Sequence, residues 1–131
     1  MVEGYGYGNS RVRAMSTRLI DERFYEELLA KEEVSQIITA LLQTGYGPEL
    51  EAALVKYSGF RCLAEALRRS FADTVRRIKS FYKGPPRRLL DVVLGRWDVF
   101  SIKAVLRGLA AAVPAENILG ILLPAGELGE A

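Results

Sequence analysis

The 131-residue chain contains no histidine, which removes the commonest general base and metal ligand. Its single cysteine, Cys62, excludes an internal disulfide and fits a reducing compartment. With no histidine to activate it, and one position from the apolar Leu63, Cys62 reads as a small core residue. No apolar run approaches the roughly 18 residues of a membrane span, and the N-terminus lacks a signal-peptide h-region. A cytoplasmic protein is expected. Strand alternation is also missing, and the five prolines and most glycines separate helical segments instead of filling them. The fold class expected is therefore all-α.

Other catalytic features fail in the same way. Glu26/Glu27 and Glu32/Glu33 are adjacent pairs, and neighbours on a helix diverge, so these carboxylates are expected to be solvated. The Gly4–Gly8 run (GYGYG) follows no strand and lacks the Lys-Ser/Thr of a phosphate loop. No catalytic residue, no metal ligand set and no cofactor is expected.

What is present is apolar helical periodicity and an uneven charge. Between Arg61 and Arg107 lie twelve Lys/Arg against four Asp/Glu, a net of +8; the rest of the chain has six against twelve, a net of −6. Such a split either orients a bipolar surface against a partner or only solvates two faces. In chain order, Gly4–Gly8 reads as a flexible aromatic lead, and a helix with Val12, Met15 and Leu19 on one stripe starts near Asn9, which is expected to serve as its N-cap. Asp21 can cap a second helix with Phe24, Leu28 and Leu29 inward. Val34, Ile37, Ile38, Leu41 and Leu42 form a third, ended by Thr44-Gly45-Tyr46-Gly47. Pro48 opens a fourth, with Leu50, Leu54 and Tyr57 as its apolar side.

The clearest period runs through Phe60, Leu63, Ala64, Leu67, Phe71, Val75, Ile78, Phe81 and Tyr82. Arg61, Arg68, Arg76, Lys79 and Lys83 occupy the opposite, exposed side. One further helix is expected from Pro85 to about Val113, between Gly84 and the stop at Pro114. Leu89, Leu90, Val93, Leu94, Trp97, Phe100, Ala104 and Val105 cover one side; Val92, Val99, Ile102, Leu106 and Leu109 cover the other. A helix apolar nearly all round is buried, so Trp97 should be buried too. The exception is a cationic seam of Arg96, Lys103 and Arg107. These two long helices should lie antiparallel at the centre of a compact bundle spanning residues 1–123, with 124–131 a linker or tail.

Asp98 falls on the apolar side of the last helix, where a carboxylate is costly unless paired or hydrogen-bonded. Its own helix offers no cation at helical spacing. Either a cation from elsewhere in the chain pairs with it, or backbone N–H groups or water satisfy it. Arg11 or Arg13 is the expected partner.

Three segments together resemble a known family. Tyr5-x-Tyr7-x-Asn9-Ser10-Arg11-Val12-Arg13-Ala14-Met15 is similar to the opening of the C/d subunit of archaeal and vacuolar-type rotary ATPases. Arg96-Trp97-Asp98-Val99-Phe100-Ser101-Ile102-Lys103-Ala104-Val105-Leu106-Arg107 resembles that family's R-W-D-x-x-N-I-K-x-I-L-R helix, with Ser101 in place of asparagine. Thr44-Gly45-Tyr46-Gly47-Pro48-Glu49-Leu50 resembles its T-x-Y-G-x-E-L turn, and Leu122-Leu123-Pro124-Ala125-Gly126 its L-P-G-G linker. The family carries three homologous helical repeats, and this chain resembles the first, as an excised domain or a shortened homologue.

The resemblance implies a non-catalytic rotor part, peripheral to the membrane on its cytoplasmic side. It would link the D–F central stalk to the proteolipid ring and so couple ATP hydrolysis or synthesis to proton or sodium transport. Candidate partner contacts are Arg61, Arg68, Arg76, Lys79 and Lys83, or Arg96, Lys103 and Arg107. A basic helical nucleic-acid-binding module is the alternative. Its weakness is that the aromatics sit at core spacing and no nucleic-acid motif is present.

Overall fold

The computed structural model describes residues 5–123, 125 and 126. Among these the fold is all-α, with eight helices and no strand. They are α1 Gly6–Ser16, α2 Glu22–Leu29, α3 Val34–Leu42, α4 Gly47–Leu54, α5 Gly59–Ser80, α6 Pro85–Leu94, α7 Arg96–Ala110 and α8 Ala115–Ile121. The chain divides into two compact units, Ser10–Phe71 and Met1–Asn9 with Ala72–Ala131. Helix α5 contributes to both.

In the unit Ser10–Phe71, local chemistry sets the helix ends. Asp21 caps α2 by accepting from the Phe24 N–H at 2.8 Å. The α3–α4 turn is held by the Thr44 hydroxyl, which donates to the Leu41 carbonyl at 2.6 Å and accepts from the Tyr46 N–H. Gly47 is required there, because a Cβ would stand 2.5 Å from the Leu42 carbonyl oxygen. Ile38, Leu41, Leu50, Ala53, Cys62 and Ala66 then form a buried core, with Phe24, Tyr46 and Leu63 packed against it. Cys62 is the small core residue expected of it.

The buried face of α5 is displaced from the one its bulky residues predict. Cys62, Ala66, Ala72, Val75, Lys79 and Tyr82 are buried, while Phe60 and Leu67 are exposed. Neighbouring backbones approach closest over small side chains, so the Cys-Ala strip faces inward and the larger residues flank it. The same correction applies to Leu29 and Leu54, which are exposed.

In the other unit the aromatic lead is ordered by packing. Helix α1 already begins at Gly6, and Gly8 is buried where a Cβ would overlap the Tyr82 ring. Asn9 does not cap: its side-chain carbonyl accepts from the Tyr82 hydroxyl at 2.8 Å. Tyr5 meets Tyr82 edge-on, and Tyr7 meets Phe81 in the same way.

The single helix expected from Pro85 to Val113 is divided. Gly84, at φ +62°, leads into Pro85 as expected, but Gly95 separates α6 from α7. The glycine stays right-handed, yet its carbonyl is shared between the Asp98 N–H at 3.0 Å and the Val99 N–H at 3.3 Å, a locally tightened turn. Glycine is a weak helix former, and the break falls on it. Helix α7 also stops before Pro114. Ala112, at φ +51°, lets the Val113 N–H bond back to the Gly108 carbonyl at 2.9 Å, closing the last turn. Helix α8 follows, a further element that the periodicity did not announce. Its Ile118 is buried so close over Gly108 that a Cβ there would clash.

The expectation that this region is buried all round is overturned. Leu94, Trp97, Ser101, Ala104, Val105 and Gly108 are half-buried, and no residue of α7 is fully buried. Val92, Val99, Ile102, Leu106 and Leu109 lie exposed. Of the last segment, Ala125 and Gly126 are buried; residues 124 and 127–131, expected as part of a tail, lie outside the described residues.

Candidate partner-binding surface

The cations of α5 do not form a free ladder. Glu65 collects two of them: Arg68 in a forked pair at 3.0 Å to each oxygen, and Arg69 at 2.6 Å. The Arg68 hydrogen bond dominates over burial and, with Arg69, holds the Glu65 carboxyl below the usual range. Arg76 pairs with Asp73 at 2.7 Å. The Arg61 guanidinium lies 5.0 Å over the Tyr57 ring. Lys83 is exposed in the turn after α5. With Arg68, Arg69 and Arg76 paired to acids of their own helix, less of the stripe's charge is left to neutralise phosphates, which weakens the nucleic-acid alternative.

Lys79 is a correction. Expected among the exposed cations, it is only 1% exposed. Its Nζ lies 3.3 Å from Asp91 Oδ1 and donates to the Gly126 carbonyl at 3.3 Å. Arg87 completes the cluster: its Nε meets the Asp91 oxygens at 3.1 and 3.2 Å, and its Nη1 donates to the Lys79 carbonyl. A buried cation needs a carboxylate and further acceptors, and these are both there. The signal was present in the spacing. Lys79 follows Val75 by four and precedes Tyr82 by three, on the buried strip of small residues.

Burial pushes the Asp91 carboxyl up, but hydrogen bonds from Arg87 and then Lys79, with their charges, outweigh it and leave its pKa lowered. A carboxyl depressed in the fold stabilises it above the unfolded pKa and loses that contribution as pH falls through the folded value. Unfolding free energy should therefore decline below about pH 4, and Asp91→Asn should flatten part of that decline, to which the depressed Glu65 also contributes. An identical acid limb in the variant, followed by denaturant melts across pH, would refute the linkage.

Asp98 sits half-buried in the first turn of α7, where the helix dipole favours an acid. Its carboxylate lies directly against Gly126, leaving no room there for a Cβ. Arg11 and Arg13 are exposed residues of α1 and belong to the unit Ser10–Phe71, whereas Asp98 belongs to the other. The cations outward on α7 are Arg96, Lys103 and Arg107, all exposed. Arg96 also reaches over the Trp97 ring at 5.9 Å. Trp97, expected to be buried, is half-buried and meets Phe100 edge-on.

Among the described residues, no group of three or more acidic, histidine or cysteine side chains is placed to hold a metal ion, and no helix is long and apolar enough to cross a membrane. What the geometry offers is a helix face with apolar and cationic groups turned outward.

Comparison with known proteins agrees with the residue-level resemblance. Residues 8–131 match the family described as ATP synthase (C/AC39) subunit. The V-type ATP synthase C subunit of Deinococcus radiodurans is 30% identical over 128 residues, covering 98% of this chain and 36% of the relative. The A-type ATP synthase C subunit of Methanosarcina mazei is 32% identical over 123 residues, 94% of this chain and 34% of the relative. That of Archaeoglobus fulgidus is 32% identical over 123 residues, 94% of this chain and 36% of the relative. The chain thus spans about a third of the length of these relatives, and it belongs to the ATP synthase (C/AC39) subunit family.

Proposed function

We propose that this chain is a non-catalytic rotor component of a V/A-type ATP synthase, corresponding to one helical repeat of the C/AC39-type stalk protein. In this reading it is peripheral to the membrane on the cytoplasmic side and links the D–F central stalk to the proteolipid ring. It would transmit torque between ATP turnover and proton or sodium transport without binding nucleotide itself. The observation that carries the proposal is the family match across residues 8–131. The outward Arg96, Lys103 and Arg107 of α7 supply a docking surface compatible with it.

Association costs are similar for small and large interfaces, so a chain about a third the length of its relatives should bind weakly. Exposed charges steer partners and are screened by salt. The expected result is salt-sensitive capture of the detergent-solubilised proteolipid ring or the D–F pair. Changing Arg96, Lys103 and Arg107 to glutamine should abolish it, while changing Arg61, Arg68, Arg76 and Lys83 should matter less because three of these already engage neighbours in the chain. Capture of neither partner at low salt, with helicity intact by circular dichroism, would end the proposal.

The structural role proposed for the first and last motifs is a pairing of Asp98 with Arg11 or Arg13. Double-mutant cycles of Asp98→Asn with Arg11→Met and with Arg13→Met should give a coupling of about 1–2 kcal/mol for one arginine. Zero coupling for each would remove the pairing.

A further inference from the structure

We infer that the outward face of α7 is a docking seam for a helix with an apolar heptad stripe and acidic flanks. Val99, Ile102, Leu106 and Leu109 follow the 3-4-3 spacing of alternating a and d positions, and Val92 falls one heptad before Val99. In an ordinary amphipathic helix that stripe faces the core. Here it faces away: the four residues are 52%, 48%, 61% and 66% exposed. The half-buried side is the other one, carrying Trp97, Ser101, Ala104, Val105 and Gly108, with α8 seated over Gly108. A seam repeating every seven residues suits a partner helix lying nearly parallel to the axis, because such pairs interlock at a 3.5-residue period. The 15 residues of α7 extend about 22 Å and present two heptads.

Charge selects the occupant. Arg96 and Lys103 lie seven apart on one edge of the seam, and Arg107 stands near them, all exposed. On the opposite edge the heptad places Asp91 and Asp98. Those acids are turned to internal tasks: Asp91 binds Arg87 and Lys79, and the Asp98 carboxylate lies against Gly126. The edge available to a partner is therefore cationic. A second copy would bring these cations towards one another in an antiparallel pair, and in a parallel pair would meet acids already committed elsewhere. A helix with glutamates flanking its apolar stripe satisfies both features. This inference stands on the exposed stripe and edge charges of α7 and their neighbours, and goes beyond the rotor reading.

Two labelled synthetic heptad helices with identical leucine-isoleucine stripes test it, one flanked by glutamate and one by lysine. By fluorescence anisotropy, the glutamate helix should bind the intact chain at least about tenfold more tightly than the lysine helix at low salt. The double variant Arg96→Glu/Lys103→Glu should reverse that order, and Leu106→Ser, at an exposed position, should weaken binding of the glutamate helix with helicity unchanged. Equal binding of the two helices, or binding of neither, would overturn the inference. So would sedimentation showing a dimer that Leu106→Ser dissociates. Ring or stalk capture that persists while the glutamate helix fails would overturn this inference and leave the rotor reading intact.

Discussion

Replacing Lys79 with alanine should lower the unfolding free energy by about 2–5 kcal/mol, from the cavity left by an enclosed long side chain and the loss of its polar contacts. The side chain is enclosed, and its ammonium joins α5 to Asp91 of α6 and to the carbonyl of Gly126. Removing it leaves that carbonyl without its donor and leaves Asp91 to Arg87 alone. Lys79→Met keeps most of the aliphatic stem, so it should cost less than alanine yet still lose the polar contacts. Combining Lys79→Met with Asp91→Asn should cost more than Lys79→Met alone, because Arg87 then loses its carboxylate as well. Denaturant unfolding monitored at 222 nm by circular dichroism reads all three. A cost below about 1 kcal/mol for Lys79→Ala would place this lysine among ordinary surface cations.

Leu50→Ala should be the other large loss, about 2–5 kcal/mol, from lost transfer energy and the cavity left behind. Leu50 is fully buried in the cluster with Ile38, Leu41, Ala53, Cys62 and Ala66. Its neighbour in the apolar pattern, Leu54, is exposed, so Leu54→Ala should stay within about 0.5 kcal/mol of the parent. The two substitutions delete the same atoms from the same helix, which isolates burial as the cause. Equal costs by denaturant melts would contradict the orientation of α4.

These contrasts show where sequence reasoning stopped. Apolar period marks a stripe but not which of two stripes wins the core. On α5 the bulkier series, Phe60 and Leu67, lost to Cys62 and Ala66, because side-chain volume at a helix contact limits how closely the backbones approach. The same ambiguity in α7 left Val99, Ile102, Leu106 and Leu109 outside and put Asp98 and Trp97 on the half-buried side.

By itself the sequence determined the all-helical class and most of the punctuation. Asp21, the Gly47-Pro48 step and Gly84-Pro85 act through their immediate neighbours, so their capping and φ constraints are legible without any fold. It also carried the three motifs that mark the family. Tertiary structure decided that Lys79 is a buried cation, that Asn9 serves Tyr82 instead of capping, and that α7 keeps a heptad stripe in the open. Each of those depends on groups far apart in the chain, as Lys79 is from Gly126 and Asn9 from Tyr82. Burial and pairing at such separations follow from which surfaces meet, and local periodicity carries no record of that.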